Sequence, residues 1–558
     1  MNPLRTTLLT SLIVAWAASD PAWSAAPAPP AKTTATSRDP VAIAAAIDRA
    51  IDAKLAEAHV PASPVCDDAE FVRRLSLDVR GRIPSPDRVA AFLADRDPAK
   101  RRKLIDEFLA DREYGEHFAT VWYHRMAKPD MCNTGLFTTR FMDWLAGHFN
   151  ADRGWDAIVH DILTAEGERD KNPATVFWLA NVEGDKKRVI APNKATGAAT
   201  RLFLGVRLEC CECHNHPFDK SLKQTDFWGV AAFFTGTHCS GADKKTTDTP
   251  TITEGGRPER GRRKGAAGPR EAAPAGSIVI PDSKGKTVAA KFLNGDAPKL
   301  AGVSRPRAVF ANWVTSKDNP YFAPAAVNKL WANFFGRGLV NPIDDMRADA
   351  KSTHPDLLAA LADEFRASGF DQKHLIRCVC NSKAYQRTSK PLPENRDDEE
   401  LYSHMRLKAM TADQLYDSLR VALDHDPAKR AERVRGGGVK GKARGGPRDE
   451  FRAFFHAEAD DDAGVVEEYA HGIPQVLRLM NSSELNNTTA VVARLLKAHP
   501  TSPDKVIEAL YLRTVSRKPT LAETARARSY VAGGADKPKA YGELLWALLN
   551  SSEFLFNH

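Results

Sequence analysis

From Glu209 to Lys220 the chain reads ECCECHNHPFDK. Within it, Cys210-Cys211-Glu212-Cys213-His214 satisfies C-x-x-C-H. Two thiols at this spacing reach the two vinyl groups on one edge of a porphyrin and form thioethers, and the next imidazole turns beneath the iron. With 8 cysteines and 16 histidines in 558 residues, a random chain would hold about 0.003 such matches. Other chemistries use the same residues. Cys210 and Cys213 can close a small disulfide loop, and the thiolates with His214 or His216 can hold a structural zinc. Against zinc, the chain has no second C-x-x-C and no H-x-x-x-H pair. Cys211, beside Cys210, adds a redox option. A haem c attached at Cys210, Cys213 and His214 would take its sixth iron ligand from elsewhere, and the candidates are His216, His124, Met126, His238 and His117. Sequence does not pair Cys66, Cys132, Cys211, Cys239, Cys378 and Cys380; Cys378 and Cys380, two apart in a helical stretch, face different directions.

The compartment suits that chemistry. MNPLRTTLLTSLIVAWAASDPAWSAAPAPP has a positive start at Arg5, an apolar run from Thr7 to Ala18 and small residues at Ala22 and Ser24. This is the anatomy of a secretory leader, expected over 1–24, and the run is too short to span a bilayer. No later stretch is apolar enough to do so. The expected location is periplasmic or secreted, with no membrane span once the leader is removed, where disulfides and thioether attachment are both permitted. The cysteines are too few for so long a chain to form a disulfide scaffold.

The formal charge of +8 raises the question of nucleic acid. Residues 255–271 carry +4 and residues 429–448 carry +7, which leaves the rest of the chain at −3. The basicity belongs to two Gly-rich loops almost without aromatics, a solvated pattern rather than a nucleic-acid surface. In an exported protein these loops suit an acidic polysaccharide better.

The remaining pattern is helical. After an Ala/Pro-rich linker at 25–40, Ile47, Ile51 and Leu55 recur four apart. Ser85-Pro86 and Asp97-Pro98 are helix starts, the second opening a stripe of Leu104, Ile105, Phe108 and Leu109. EYGEHFATVWYHRM supplies another helix. Residues 240–275 are low in complexity and mark a boundary, followed by one short β piece, SIVIPD. Beyond it, PDLLAALADEFRASGF, KHLIRCVCNSKAY, SPDKVIEALYLRTVSR and TLAETARARSYVAGG are helical, with Gly369 and Gly533 as stops. The expected fold is mainly α, with little or no sheet. It comprises an N-terminal helical domain at 41–239, a linker at 240–300 and a C-terminal helical domain at 301–558 that carries the basic loop at 429–448. Trp331, Phe334 and Phe335 read as core. GGGVKGKA (436–443) lacks the hydroxyl of a phosphate loop, and EADDDAG (458–464) lacks the spacing of a calcium loop.

The run LFLGVRLECCECHNHPFDKSLKQTDFWGVAAFF resembles the signature of planctomycetal cytochrome c-like proteins, catalogued as domain of unknown function fifteen-forty-nine. FVRRLSLDVRGRIPSPDRVAAFLADRDPAKRRKLIDEFLADREYGEHF is similar to the helical N-terminal signature of that family. NPYFAPAAVNKLWANFFGRGLVNPIDDM, THPDLLAALADEFRASGFDQKHLIRCVCNSKAYQRTS and GIPQVLRLMNSSELNN resemble its usual companion, domain fifteen-fifty-three. The resemblance implies c-type haem at Cys210, Cys213 and His214, an extracytoplasmic setting, and association with polysaccharide breakdown and a neighbouring exported sulfatase-like protein. Cys211 departs from the family pattern. The leading expectation is an exported haem protein in electron transfer, with a haem-dependent oxidoreductase activity left open and its redox partner unnamed. The alternative is a haem-free structural or glycan-binding protein whose Cys/His cluster holds a disulfide or zinc. A cleft between the two halves near His216 is the expected place for a shared site.

Overall fold

The computed structural model describes residues 39–126, 136–183, 189–241, 249–255, 276–281, 283–300, 302–347, 350–424, 447–456, 480–481 and 488–558. The expected leader, nearly all of the 25–40 linker, most of both basic loops, the acidic turn at 458–464 and Cys132 lie outside these residues. The described part is mainly α, as the periodicity indicates, with 22 α-helices and nine strands of two to four residues. No helix among the described residues is long and apolar enough to cross a membrane.

Local signals act where expected, with one shift. Helix Pro40–Glu57 buries Ile43, Ala44, Ile47, Ile51 and Leu55 along one face. Ser85 caps helix Pro86–Ala94, its hydroxyl accepting from the Arg88 amide at 3.3 Å. The Asp97-Pro98 start opens a turn instead. The Asp97 carboxylate takes the Ala99 amide at 2.8 Å, and the helix begins only at Lys100. Its stripe of Leu104, Ile105, Phe108 and Leu109 is buried all the same. At the other end of the chain, Thr520 and Glu523 form a reciprocal capping box that starts Leu521–Gly533.

The β structure exceeds the single expected piece. Ser277–Val279 does pair with Thr287–Ala289. In addition, Thr251–Glu254 lies antiparallel between Thr237–Ser240 and Gly167–Glu168, with Ile252 fully buried. One apolar side chain in an otherwise polar stretch is enough to anchor that strand, and low complexity conceals it.

Both sequence halves contribute to one continuous core that runs from Ile43 to Leu512. Helix Pro40–Glu57 packs on Gln372–Cys380, and Trp155–Thr164 packs on Pro306–Val314. Helix Phe322–Phe335, with Trp331, Phe334 and Phe335 buried, lies against the turn Thr200–Leu204 that leads to the cysteine cluster. Burying each such aromatic is worth about 1.5–3 kcal/mol.

Polar groups fasten the halves as well. Arg73 and Arg74, on helix Asp68–Arg80, are both fully buried. Arg73 donates to the Thr514 and Phe554 carbonyls at 2.9 and 2.7 Å. Arg74 donates to the carbonyls of Tyr385 and Arg387 at 2.7 and 2.9 Å and ion-pairs with Glu70 at 2.5 Å.

Candidate functional site

Helix Pro192–Ala199 runs into a five-residue π turn, Thr200–Leu204, which ends at Gly205 with φ 68°. A side chain there would strain the backbone, and its Cβ would lie 3.0 Å from Met346 Sδ. The Gly205 carbonyl accepts from the Met346 amide at 2.8 Å, and Val206 bridges Asp345. The chain then enters a 3-10 turn, Leu208–Cys211, with Leu208 and Cys211 inside. Cys210 and Cys213 are exposed, and all three cysteines are free thiols.

The backbone after the turn is held from below. Trp228 Nε1 donates to the Glu212 carbonyl at 2.9 Å, and Gln224 Nε2 donates to the Cys213 carbonyl at 2.9 Å. Both donors stand on helix Gln224–Ala231. Asn193 Nδ2 holds the Glu212 carboxylate at 2.9 Å. The exposed thiols thus sit on a fixed backbone.

The two histidines differ in tautomer. His214 Nδ1 lies 2.7 Å from the Asn215 carbonyl oxygen, which can only accept, so Nδ1 carries the proton. The neutral ring then presents its Nε2 lone pair outward, the form that binds a metal. His216 is the reverse. Its Nδ1 accepts the Asp219 and Phe218 amides at 2.9 and 3.3 Å, which leaves the proton of the neutral ring on Nε2. That tautomer offers no nitrogen lone pair outward and instead organises the loop.

Burial pushes the Cys211 thiol up to about 11, so it stays protonated and unreactive beside its exposed neighbours. Phe218 is 78 % exposed, an open aromatic on the same loop. The other candidates lie on separate elements. His124 is tied to Asp413 through Nε2 at 2.8 Å, Met126 is buried in the main core, and His238 stands on strand Thr237–Ser240. His117 lies on the His124 helix, where burial drives its imidazole down to about 4. Among the described residues, no group of three or more His, Cys, Asp or Glu side chains is arranged to hold a metal ion.

The C-terminal half closes this region. Arg201, in the π turn, stands 3.7 Å from the Glu209 carboxylate and 3.8 Å from that of Asp344. Asp344 in turn ion-pairs with the buried Lys329. A cleft of about 190 Å³ lies at the loop after His216, lined by Asp219, Ser221 and Leu222 from the first half of the sequence and Tyr321, Met346 and Arg347 from the second. Residues of both sequence halves line this cleft, and His216, near which a shared site was expected, is not among them. Sequence reasoning did not single out Arg201, Tyr321, Asp344 or Arg347. The visible signal was the polar IDDMR run, which follows an apolar helix and a short loop and has no reason to be acidic unless it meets something.

The family comparisons follow the same division. Residues 46–239 match the family model described as PSCyt2, Protein of unknown function (DUF1549). Residues 306–531 match PSD1, Protein of unknown function (DUF1553). The chain belongs to the family that joins these two domains. The PSCyt2 match contains the cysteine turn and one wall of the cleft, and the PSD1 match contains Tyr321 and the Asp344–Arg347 run. No curated protein and no solved structure matches the chain.

Proposed function

We propose that this PSCyt2–PSD1 protein is an exported c-type haem protein working in electron transfer or oxidoreduction. In this reading Cys210 and Cys213 are the covalent attachment points and His214 is the proximal ligand. The observation that carries it is the His214 tautomer. The Asn215 carbonyl holds the Nδ1 proton, and Nε2 stands open next to two exposed, reduced thiols. This donor set fits the group, which when bound supplies one-electron exchange at iron.

Each chain residue has a task in that reading. The two thiols add S–H across two vinyl groups: each sulfur bonds one carbon and its proton goes to the other, with no external oxidant. Burial keeps Cys211 out of this chemistry, which answers the ambiguity of three adjacent thiols. Trp228 and Gln224 fix the carbonyls between the attachment points. The leader places maturation outside the cytoplasm. The links to an acidic polysaccharide and a sulfatase-like protein rest on the basic loops and the family resemblance.

The test is a pyridine haemochrome spectrum with intact mass, on protein exported from a host that matures a control cytochrome c. A c-type spectrum with one added haem mass is expected. A colourless protein at apo mass would refute the haem reading, and a mass lower by two hydrogens, with the bridge located at Cys210 and Cys213 by peptide mapping, would assign them to a disulfide.

A further inference from the structure

We propose that the cleft between the two halves is a binding site for a small alkylammonium cation, with Asp219 as its counter-charge. The cleft takes its polar character from Asp219, Ser221, Tyr321 and Arg347, and its apolar walls include Leu222, Leu293 and Met346. At about 190 Å³ it has the space of roughly six water molecules, which suits a ligand of five or six heavy atoms.

Charge decides the class. Asp219 is 6 % exposed. Its Oδ1 accepts the Ser221 amide at 2.8 Å and the Ser221 hydroxyl at 2.6 Å, whereas Oδ2 meets no donor of the protein. No described cation lies within ion-pair distance, 4.0 Å, of this carboxylate. Burial opposes its charge, but the Ser221 hydrogen bonds and the nearby His216 and Arg347 hold its carboxyl below the usual range, so it is ionised at neutral pH. A buried carboxylate gains most from a cation placed against it.

The other charged lining group does not reverse this balance. The Arg347 guanidinium forms two hydrogen bonds with the Asp345 carboxylate, at 2.5 and 2.9 Å, so that part of its charge is already taken up before it acts on Asp219. The Tyr321 hydroxyl is pushed up by burial and by the charges of Asp219 and Asp226, the sign of a negative field in the cleft. The nearby Asp226 is balanced by Lys291 at 2.5 Å. An ammonium beside Asp219, with its alkyl tail on Leu222, Leu293 and Met346 and with the Tyr321 ring available as a cation–π partner, satisfies both the charge and the walls.

The inference does not depend on haem and is tested on the full chain before maturation. Calorimetric titration with n-butylammonium, 1-butanol and butyrate at pH 7 compares three ligands of similar size and different charge. Butylammonium is expected to bind at least tenfold more tightly than butanol, with butyrate showing no binding. Asp219→Asn is expected to weaken butylammonium at least tenfold while leaving butanol unchanged. Equal affinity for butanol and butylammonium, preference for butyrate, no binding of butylammonium, or an unchanged affinity in Asp219→Asn would each overturn the proposal. Should Asp219→Asn fail to fold, the three-ligand comparison on the unaltered chain decides, and Leu293→Trp, which fills the cleft from its apolar wall, must abolish the binding.

Discussion

Helix Asp68–Arg80 and the cysteine turn handle reactive groups in opposite ways. On the helix, two arginines are fully buried and most of their donors are spent on carbonyls far along the chain. On the turn, the backbone carbonyls are the groups taken up, by Trp228 and Gln224, while two thiols and an imidazole remain outside. Both regions lie in the same family match. The first uses polar groups to hold the protein together, and the second leaves two thiols and an imidazole exposed.

The most direct way to break that contrast is Arg74→Ala. It removes four donors from carbonyl and carboxylate partners in the interior and leaves Glu70 without its ion pair. Losing one partner of a buried pair costs about 3–5 kcal/mol, to be read by urea denaturation. Cys210→Ser, on the turn, should leave the midpoint where it is.

A pair of histidines sharpens the contrast next. His354 is 3 % exposed, and burial, with Lys54 nearby, drives its imidazole down to about 4. The folded state therefore refuses a proton that the unfolded chain accepts near the ordinary histidine value of about 6.5. Stability is complete above that value and falls as the pH drops toward 4, by on the order of 2 kcal/mol from this group. His354→Gln should flatten that part of a stability–pH curve. His214→Gln, on the exposed turn, should leave the denaturation midpoint at pH 7 where it is.

How much of this was legible beforehand depended on the range of the interaction. Caps and stripes were readable because Ser85 with Arg88, or Ile47 with Ile51, are neighbours along the chain. The C-x-x-C-H spacing was readable for the same reason. Arg73 and Arg74 were visible only as charges in a helix, since the carbonyls that hold them lie more than 300 residues away. The strand Thr251–Glu254 was read as linker because Ile252 is its one buried apolar residue. The tautomers of His214 and His216 depend on which backbone groups the loop turns toward them, and spacing says nothing of that.

Within the cluster, the cysteines should part company. Cys211→Ser buries a hydroxyl in place of a thiol that burial already holds protonated, a cost of about 1–3 kcal/mol, and on the proposed function the protein should still be matured with its full pigment. Cys210→Ser and Cys213→Ser should each keep the wild-type denaturation midpoint and lose one covalent link, read as a shifted haemochrome band. If Cys211→Ser lost pigment and Cys210→Ser kept it, attachment would have to be reassigned.

The smallest effect on stability is expected at Phe218. Its ring is 78 % exposed, so Phe218→Ala removes little buried area, and the midpoint should move by less than about 0.5 kcal/mol. An aromatic left open beside His216, on the same loop as His214, gains if something apolar covers it. A flat macrocycle attached to the turn would do so, and the Ala variant should then leave it more open to solvent, read as a shift in its reduction potential. An unchanged potential would separate Phe218 from the cofactor. The ring would then count as part of the surface the turn presents outward, and the contrast with the buried helix would rest on Cys210, Cys213 and His214 alone.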